Sequence, residues 1–520
     1  MQVKVDLTNR FAVFKGFYPY EEFKKVVQYR SPGYFYSPQY RLGYWDGYRS
    51  LLRYNKIGTG LFLAVRKELE KSASVTFKIT DLRTSPKFNP QNVQSLETSR
   101  EYQIECVNEM LKCNSGGLIL SATGSGKTHV AGLYFKCLLG AACFVVDELT
   151  LMDQAKKELE SVLKEEIGIV GNSIFNPRRI TVATIQTLHK HRRNPKFRQW
   201  TRTLDVVLID EIHLAINRRN INTVRDIQPQ VVFGLTATLE LHKDHIRMPV
   251  YDFSGPPIFT YPLEKGVKEA FLSPGIVASL KCRQDGVDGD YQEEYDCLIT
   301  DSQYRNNIIV SLIKEACNQG RSIIVIVERI RHLKTLSSLV ADIPHRLVFG
   351  EKVVEDRIKA KEDFDKKKIR LLIVNKVFKK GISINSVDTI IECSALKSKN
   401  DAIQKYGRGI RLCQDKKGLI YIDISDRSRR DVERSSDKYN RFGRATSSRL
   451  NAFKSIQVKV VHLEWYGSAQ EVIETAEHQL DAEIQNLEKD RSKGRKSNES
   501  QNQVGKNSKP KKSNQKVASW

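Results

Sequence analysis

Two stretches of the chain repeat one pattern: a short apolar run, a segment with helical spacing, then another run. In the first stretch the runs are Gly117–Leu120, Cys143–Val146, Ile180–Ala183, Val206–Ile209 and Val231–Leu235. Strands so short and so uniformly apolar must be buried on both faces, which a parallel sheet covered by helices provides. Between the second and third runs, Leu151, Ala155, Leu159, Val162 and Leu163 recur at helical spacing. A second series follows: Ser322–Val327, Arg346–Phe349, Leu371–Val374, Thr389–Ile391 and Leu419–Ile422. The two series share architecture but no wording. Together they predict an α/β protein with two parallel-sheet lobes.

Composition shifts set the boundaries. Residues 1–90 are dense in aromatics and predict a small α+β N-terminal domain, ended by a polar linker over Thr84–Asn92. The lobes are expected at 91–255 and 301–430. Residues 256–300 are rich in Pro, Gly and Asp and read as the lobe connection. Residues 431–488 read as a helical C-terminal extension, since Val472, Ile473, Ala476, Leu480, Ile484 and Leu487 share helical spacing. From Lys489 to Trp520 almost nothing is apolar, so a disordered basic tail is expected.

The charge is uneven. Lys+Arg number 85 against 61 Asp+Glu, a net +24. Residues 1–95 hold 16 basic and 7 acidic residues, and 489–520 hold 10 and 2, so the ends carry +9 and +8 of that excess. Basic ends on a balanced middle point to a polyanionic partner, most often nucleic acid, although a solvating surface has the same composition. No apolar run approaches the roughly 18 residues of a spanning helix, so no membrane partner is expected. The first residues lack an apolar signal core, which argues against secretion. Nine cysteines include no Cys-x-x-Cys pair, so a reducing, cytoplasmic setting is expected.

Three constellations carry chemistry. The first is Ser121-Ala-Thr-Gly-Ser-Gly-Lys-Thr128, between a strand and a helix. Thr123, Gly124, Ser125 and Gly126 can wrap backbone N–H groups around phosphate oxygens, and the helix adds its positive end. Lys127 can reach the β/γ-phosphates, and the Thr128 hydroxyl can bind Mg²⁺. Ser121 stands where the pattern usually opens on Gly. The second is Asp210-Glu-Ile-His213, delivered by a buried strand to the same sheet edge. Asp210 would hold Mg²⁺, Glu211 would act as general base, and His213 would sense the γ-phosphate. The third is Gln404–Arg411, which puts Arg408 and Arg411 on one helical face. Facing the first lobe, they could neutralise charge on a transferred phosphoryl group. Taken singly, an acidic strand end is usually solvated, and paired arginines usually bind nearby carboxylates.

Order and spacing together resemble the superfamily 2 DExH-box helicases over residues 96–425. Arg100-Glu-Tyr102-Gln103 resembles the adenine-recognising motif, Ser121–Thr128 motif I and Asp210–His213 motif II. Thr236-Ala-Thr238 resembles motif III, Gly381-Ile-Ser-Ile384 motif V and Gln404–Arg411 motif VI. The resemblance implies two RecA-like lobes, ATP and Mg²⁺ as cofactors, and Tyr102, Gln103 and Gly381 at the nucleotide. The first segment, Gly33–Leu52 with Trp45-Asp46-Gly47 at its centre, resembles the N-terminal domain of the bacteriophage UvsW recombination helicases. That likeness implies branched DNA as partner, with fork regression and Holliday-junction migration in recombination, repair and replication. It also implies a monomer in host cytoplasm, alongside recombination or single-strand-binding proteins. Two departures stand out: Asp147-Glu148 replace the usual Pro-Thr of motif Ia, and Ser383 replaces a usual Asp in motif V.

For nucleic acid, residues 29–54 interleave nine aromatics with Arg30, Arg41, Arg49 and Arg53. About half of those rings are expected in the domain core. Tyr44, Trp45 and Tyr48, with Arg49, flank a glycine turn and are the surface candidates for base stacking. Thr184 and Gln186, in the expected motif Ib, suit sugar-phosphate contact. Two other readings stay open: an RNA helicase, because the core motifs are shared, and a nucleic-acid-binding module with a weak or inactive motor.

Overall fold

The computed structural model describes residues 1–94, 99–215, 218–237, 239–285, 289–350, 354–375, 384–428 and 441–505. The N-terminal domain is built on β1 (Gln2–Leu7) and β2 (Phe11–Lys15), with β3 (Gln28–Arg30) and β4 (Tyr48–Ser50) as a separate hairpin. β5 (Lys56–Gly58) and β6 (Thr76–Asp81) complete a mixed sheet of order β5-β2-β1-β6. Buried and open positions alternate along β1, so one face packs down while the other meets solvent. Phe14 and Phe23 pack there with Leu61, Phe62 and Leu69 of the helix Thr59–Ser72. Of the nine aromatics of residues 29–54, none is fully buried and only Tyr29 packs against this core, fewer than the expected half. Residues of the sheet and helices, Phe14, Phe23 and Phe62 among them, fill the core, and most rings of the 29–54 segment stand outside it.

In the first lobe, β7 (Gly117–Ser121), β8 (Ala141–Val146), β9 (Gly168–Gly171), β10 (Ile174–Asn176), β11 (Ile180–Thr184), β12 (Leu204–Ile209), β13 (Val231–Thr236) and β14 (Pro257–Tyr261) make one sheet. Its order is β10-β9-β11-β8-β12-β13-β7-β14, parallel throughout except for β10 on β9. In the second lobe, β15 (Gly275–Gln284), β16 (Ile323–Ile326), β17 (His345–Val348), β18 (Leu371–Val374), β19 (Thr389–Glu392), β20 (Leu419–Ser428) and β21 (Lys459–Glu464) form a parallel sheet of order β17-β18-β16-β19-β20-β15-β21. Every apolar run read from the sequence is a strand here, within one or two residues except the last, which continues six residues further to Ser428.

The flanking segments differ from expectation. Residues 256–300, read as a connection, supply β14 to the first sheet and β15 to the second. Their prolines, glycines and aspartates mask two apolar runs, and the true link is the short stretch between those strands. The extension over 431–488 is not purely helical, because β21 pairs with β15 inside it. The last helix, Ala469–Gly505, buries Val472, Ile473, Ala476 and Leu480 in the second lobe's core. It runs past Lys489, where disorder was expected, and Arg491 donates to the carbonyls of Val267 (2.5 Å) and Lys268 (2.7 Å). No helix among the described residues is long and apolar enough to cross a membrane.

One buried carboxylate docks the N-terminal domain onto the first lobe. Asp252 accepts from the Gly58 N–H (2.5 Å) and pairs with Arg225 (2.5 Å). At Gly58 a Cβ would lie 1.8 Å from the Asp252 carbonyl oxygen, so only glycine fits. Replacing Asp252 with Ala strands Arg225 without its carboxylate, a loss of about 3–5 kcal/mol. Asp252→Ala should therefore lower the melting temperature and speed proteolysis of the 84–92 linker, with Gly58→Ala doing the same by steric conflict alone.

Candidate nucleotide cleft and nucleic-acid surface

A parallel sheet gathers the carboxyl ends of its strands on one edge, and the first lobe's candidate residues follow those ends. After β7 the chain turns through Gly124 (φ +85°) and Gly126 (φ +80°) into the helix Lys127–Cys137. Ser121 fits without its usual glycine because its Oγ lies 2.6 Å from the buried Ser125 Oγ. The Ser125 carbonyl accepts from the Tyr102 hydroxyl (2.5 Å) and from Gln103 Nε2 (3.4 Å). Tyr102 is only 3% exposed and stacks on Tyr261 with ring centroids 3.9 Å apart. It therefore braces the phosphate loop from behind and does not line the cleft, contrary to its expected place against the nucleotide. Arg100 and Phe271 line the cleft instead, with the guanidinium 4.9 Å from the ring centroid. Lys127 Nζ donates to the carbonyls of Ser121 (3.3 Å) and Ala122 (3.5 Å).

β13 separates β7 from β12, and its last residue ties the two site segments together. Thr236 Oγ1 donates to Glu211 Oε2 (3.2 Å), and His213 Nδ1 lies 3.3 Å from both groups. Glu211 holds a left-handed φ of +48°, an unfavourable conformation for a residue with a side chain. Burial, then the neighbouring Glu211, pushes the Asp210 carboxyl up to about 6. Burial opposes charge on Glu211 as well, but hydrogen bonding from His213 and the charge of Lys127 outweigh it and hold its carboxyl low. Two adjacent carboxylates are thus set apart in proton affinity by their surroundings.

The second lobe contributes Arg408, from the helix Lys399–Gly409, and Arg411 just beyond it. Both line a cavity of about 320 Å³ with Lys127, Thr128, Asp210 and Glu211. The lobes touch here. At Gly407 a Cβ would come within 2.5 Å of Thr123 Cβ, and at Gly124 within 3.3 Å of Arg411 Cγ. Burial, then Arg411, lowers Arg408 to about 10. Thr123 Oγ1 and Arg411 Nε are buried with no hydrogen-bond partner among the described residues. A cavity that gathers cations, unsatisfied donors and carboxylates suits a polyphosphate anion carrying a divalent cation. Gly381, also expected at the nucleotide, lies outside the described residues, as do Thr238 and Ser383.

Sequence reading missed two groups. Glu158 lines the same cavity, where burial raises its carboxyl and the charge of Arg411 opposes that. Helical spacing marked its neighbours as core but could not show that this face meets the second lobe. The other group fixes the arginine helix from behind. Lys405 Nζ, on the helix Lys399–Gly409, lies 2.5 Å from Glu392 Oε2 and 3.3 Å from Ser394 Oγ. Tyr421 donates to the same Glu392 oxygen (2.9 Å), and Arg449 makes a bidentate pair with Asp423 (2.7 and 2.8 Å). Burial alone would raise Glu392, but Lys405 and Arg449 outweigh it and hold its carboxyl at about 2.

The nucleic-acid candidates divide. Tyr44 is 83% exposed, and Tyr48 is also open. Trp45 is half-buried, donating through Nε1 to the Tyr48 carbonyl (2.7 Å) beneath the Arg49 guanidinium. Phe35, Tyr36 and Tyr54 are exposed beside them and were not singled out. Thr184 is buried and spends its hydroxyl at a helix start, 2.8 Å from Thr187 Oγ1, so its side chain is not open to a sugar-phosphate contact. Gln186 is exposed and donates to Asp147 Oδ1 (3.0 Å), which links the unusual motif Ia acid to motif Ib. Asp147, Glu148, Thr184, Gln186 and Thr187 line one shallow groove.

Residues 97–241 match the family model described as the res subunit of type III restriction enzymes, and residues 305–413 match the helicase conserved C-terminal domain. Two helicase domains on parallel-sheet, RecA-like lobes with a cleft between them make the chain an ATP-dependent helicase, and the whole resembles superfamily 2. Within that class it resembles UvsW: it is 22% identical to the ATP-dependent DNA helicase uvsW of Enterobacteria phage T4, covering 78% of this chain and 87% of that protein. It is 23% identical to helicase D10 of Escherichia phage T5, over 75% of this chain and 83% of that one. Among solved structures, S. cerevisiae Dbp5 bound to RNA and ADP BeF3 shares the fold at a TM-score of 0.53 and 13% identity, covering 74% and 95%.

Two substitutions separate scaffold from chemistry. Lys405→Met leaves Glu392 buried without its counter-charge and should cost about 3–5 kcal/mol in chemical denaturation, part of which Glu392→Gln in the same chain restores. Thr236→Val removes the hydroxyl between Glu211 and His213. It should lower kcat for ATP hydrolysis by about tenfold to a hundredfold while moving KM little.

Proposed function

We propose that the protein is an ATP-driven translocase acting on branched DNA, migrating junctions and regressing forks. The observation that carries the reading is the juxtaposition, in one interlobe cavity, of Lys127, Thr128, Asp210 and Glu211 with Arg408 and Arg411. In this reading Thr123–Gly126 and Lys127 receive the triphosphate, and Thr128 with Asp210 holds Mg²⁺. Bound Mg²⁺ supplies charge neutralisation at the phosphates. Glu211, its proton affinity kept low by His213 and Lys127, takes a proton from the attacking water. Arg408 and Arg411 complete the site only while the lobes are together, so nucleotide state and lobe separation become coupled. Alternation between closed and open lobes then moves one strand along the groove beside Gln186. DNA is favoured as the substrate by the likeness to phage uvsW, and a junction by the open aromatics and arginines of the N-terminal hairpin.

Lys127→Ala and Glu211→Gln should each abolish nucleic-acid-stimulated ATP hydrolysis and unwinding of forked DNA. Unwinding at the wild-type rate by either variant defeats the proposal. Stimulation by structured RNA, with none by forks or four-way junctions, would establish the RNA-helicase reading in its place. No ATP turnover with any nucleic acid would leave a binding module.

A further inference from the structure

We infer that the first lobe carries a second nucleic-acid site outside its motifs: a basic groove on the outer edge of the sheet that takes single-stranded DNA leaving the motif groove. The inference rests on the DNA-translocase reading. Residues 167–204 contain eight arginines and lysines and no aspartate or glutamate, a local excess hidden in the balanced charge of the whole lobe. Arg178 and Arg179 pair with Glu166 and Glu165. The other six, Lys190, Arg192, Arg193, Lys196, Arg198 and Arg202, form no ion pair among the described residues. All but Arg192 are exposed. Six uncompensated cations on one short stretch repel one another, so folding alone gives no reason to gather them there.

Geometry turns this charge into a groove. The hairpin β9–β10 closes the sheet edge and presents Ile174 and Phe175 about half exposed. The Phe175 ring rests edge-on against Trp200 (centroids 5.9 Å apart) and near Phe197 (6.3 Å), which hold it in place with part of its surface open. Phe175, Lys190, His191, Lys196 and Phe197 line a cavity of about 430 Å³. Thr187 lines both this cavity and the motif groove with Gln186, so the two surfaces are continuous. A positive groove beside a fixed, exposed ring is the arrangement that tracks a single strand: cations meet phosphates, and the ring stacks a base without reading it. An acidic protein would satisfy the cations but leave the ring and the continuity with the motif groove without a purpose.

The test uses the full chain. Lys190→Glu, Arg193→Glu and Lys196→Glu are combined in one variant, and Phe175→Ala is made separately. ATP hydrolysis and binding are measured with oligothymidines from about 4 to about 16 nucleotides, the span of single-strand sites. The triple variant should match wild type on the shortest oligomers and bind the longest at least tenfold more weakly. Its log–log salt slope should fall by about 2 units for three lost phosphate contacts. Phe175→Ala should weaken binding of long oligomers about tenfold and leave the salt slope unchanged. Both variants should keep the wild-type hydrolysis rate at saturating DNA, and the triple variant the wild-type melting temperature. Equal length dependence for wild type and both variants overturns the second site. No response of the wild type to any oligomer overturns the translocase reading itself.

Discussion

The contact of Gly407 with Thr123 is the constraint on which the rest of the molecule depends. A glycine on the second lobe lies so close to the phosphate loop of the first that a methyl group would reach 2.5 Å from the Thr123 side chain. The same approach brings Arg411 against Gly124. Because the meeting point is the phosphate loop itself, any anion held there lies between the lobes. A hydrolytic site split across two bodies works only when they meet, and this is how chemistry can be made to report domain position.

That approach needs rigid support on both sides. On the first lobe, Tyr102 and Gln103 fix the loop through the Ser125 carbonyl, and Thr236 joins the end of β13 to Glu211 and His213. On the second, the buried Glu392–Lys405–Tyr421 cluster anchors the arginine helix, and the Arg449–Asp423 pair ties in the segment that follows the sheet. Such fully partnered buried networks set geometry more than stability. The C-terminal segment is therefore part of the lobe, contributing a strand, two helices and a counter-charge.

The candidate surfaces for nucleic acid are arranged around the same sheet. The N-terminal domain docks through Asp252, near the β14 side, and holds its exposed rings on a segment that gives its core little beyond Tyr29, Leu51 and Leu52. The basic groove lies at the opposite edge, on β10. The motif groove, with its Asp147–Gln186 link, runs between them. Six strand spacings separate β10 from β7, roughly 29 Å.

The sequence alone determined the two lobes and most of the residues that line the cleft between them. Buried parallel strands must be short apolar runs, and residues at their carboxyl ends must share an edge, so Lys127, Asp210 and Glu211 could be placed without coordinates. Arg408 and Arg411 were legible because helical spacing put them on one face. Only the tertiary structure decided what depends on crossing between segments. It moved Tyr102 behind the phosphate loop, brought Glu158 into the cleft, paired Lys405 with Glu392 and turned Thr184 inward to cap a helix. It also kept all of the aromatics of residues 29–54 but Tyr29 off the core, because strands and helices with their own phenylalanines had already filled it. Composition carries no information about which side of a fold a residue meets. For that reason the connection at 256–300 concealed two strands, and a balanced lobe concealed a cluster of unpaired cations.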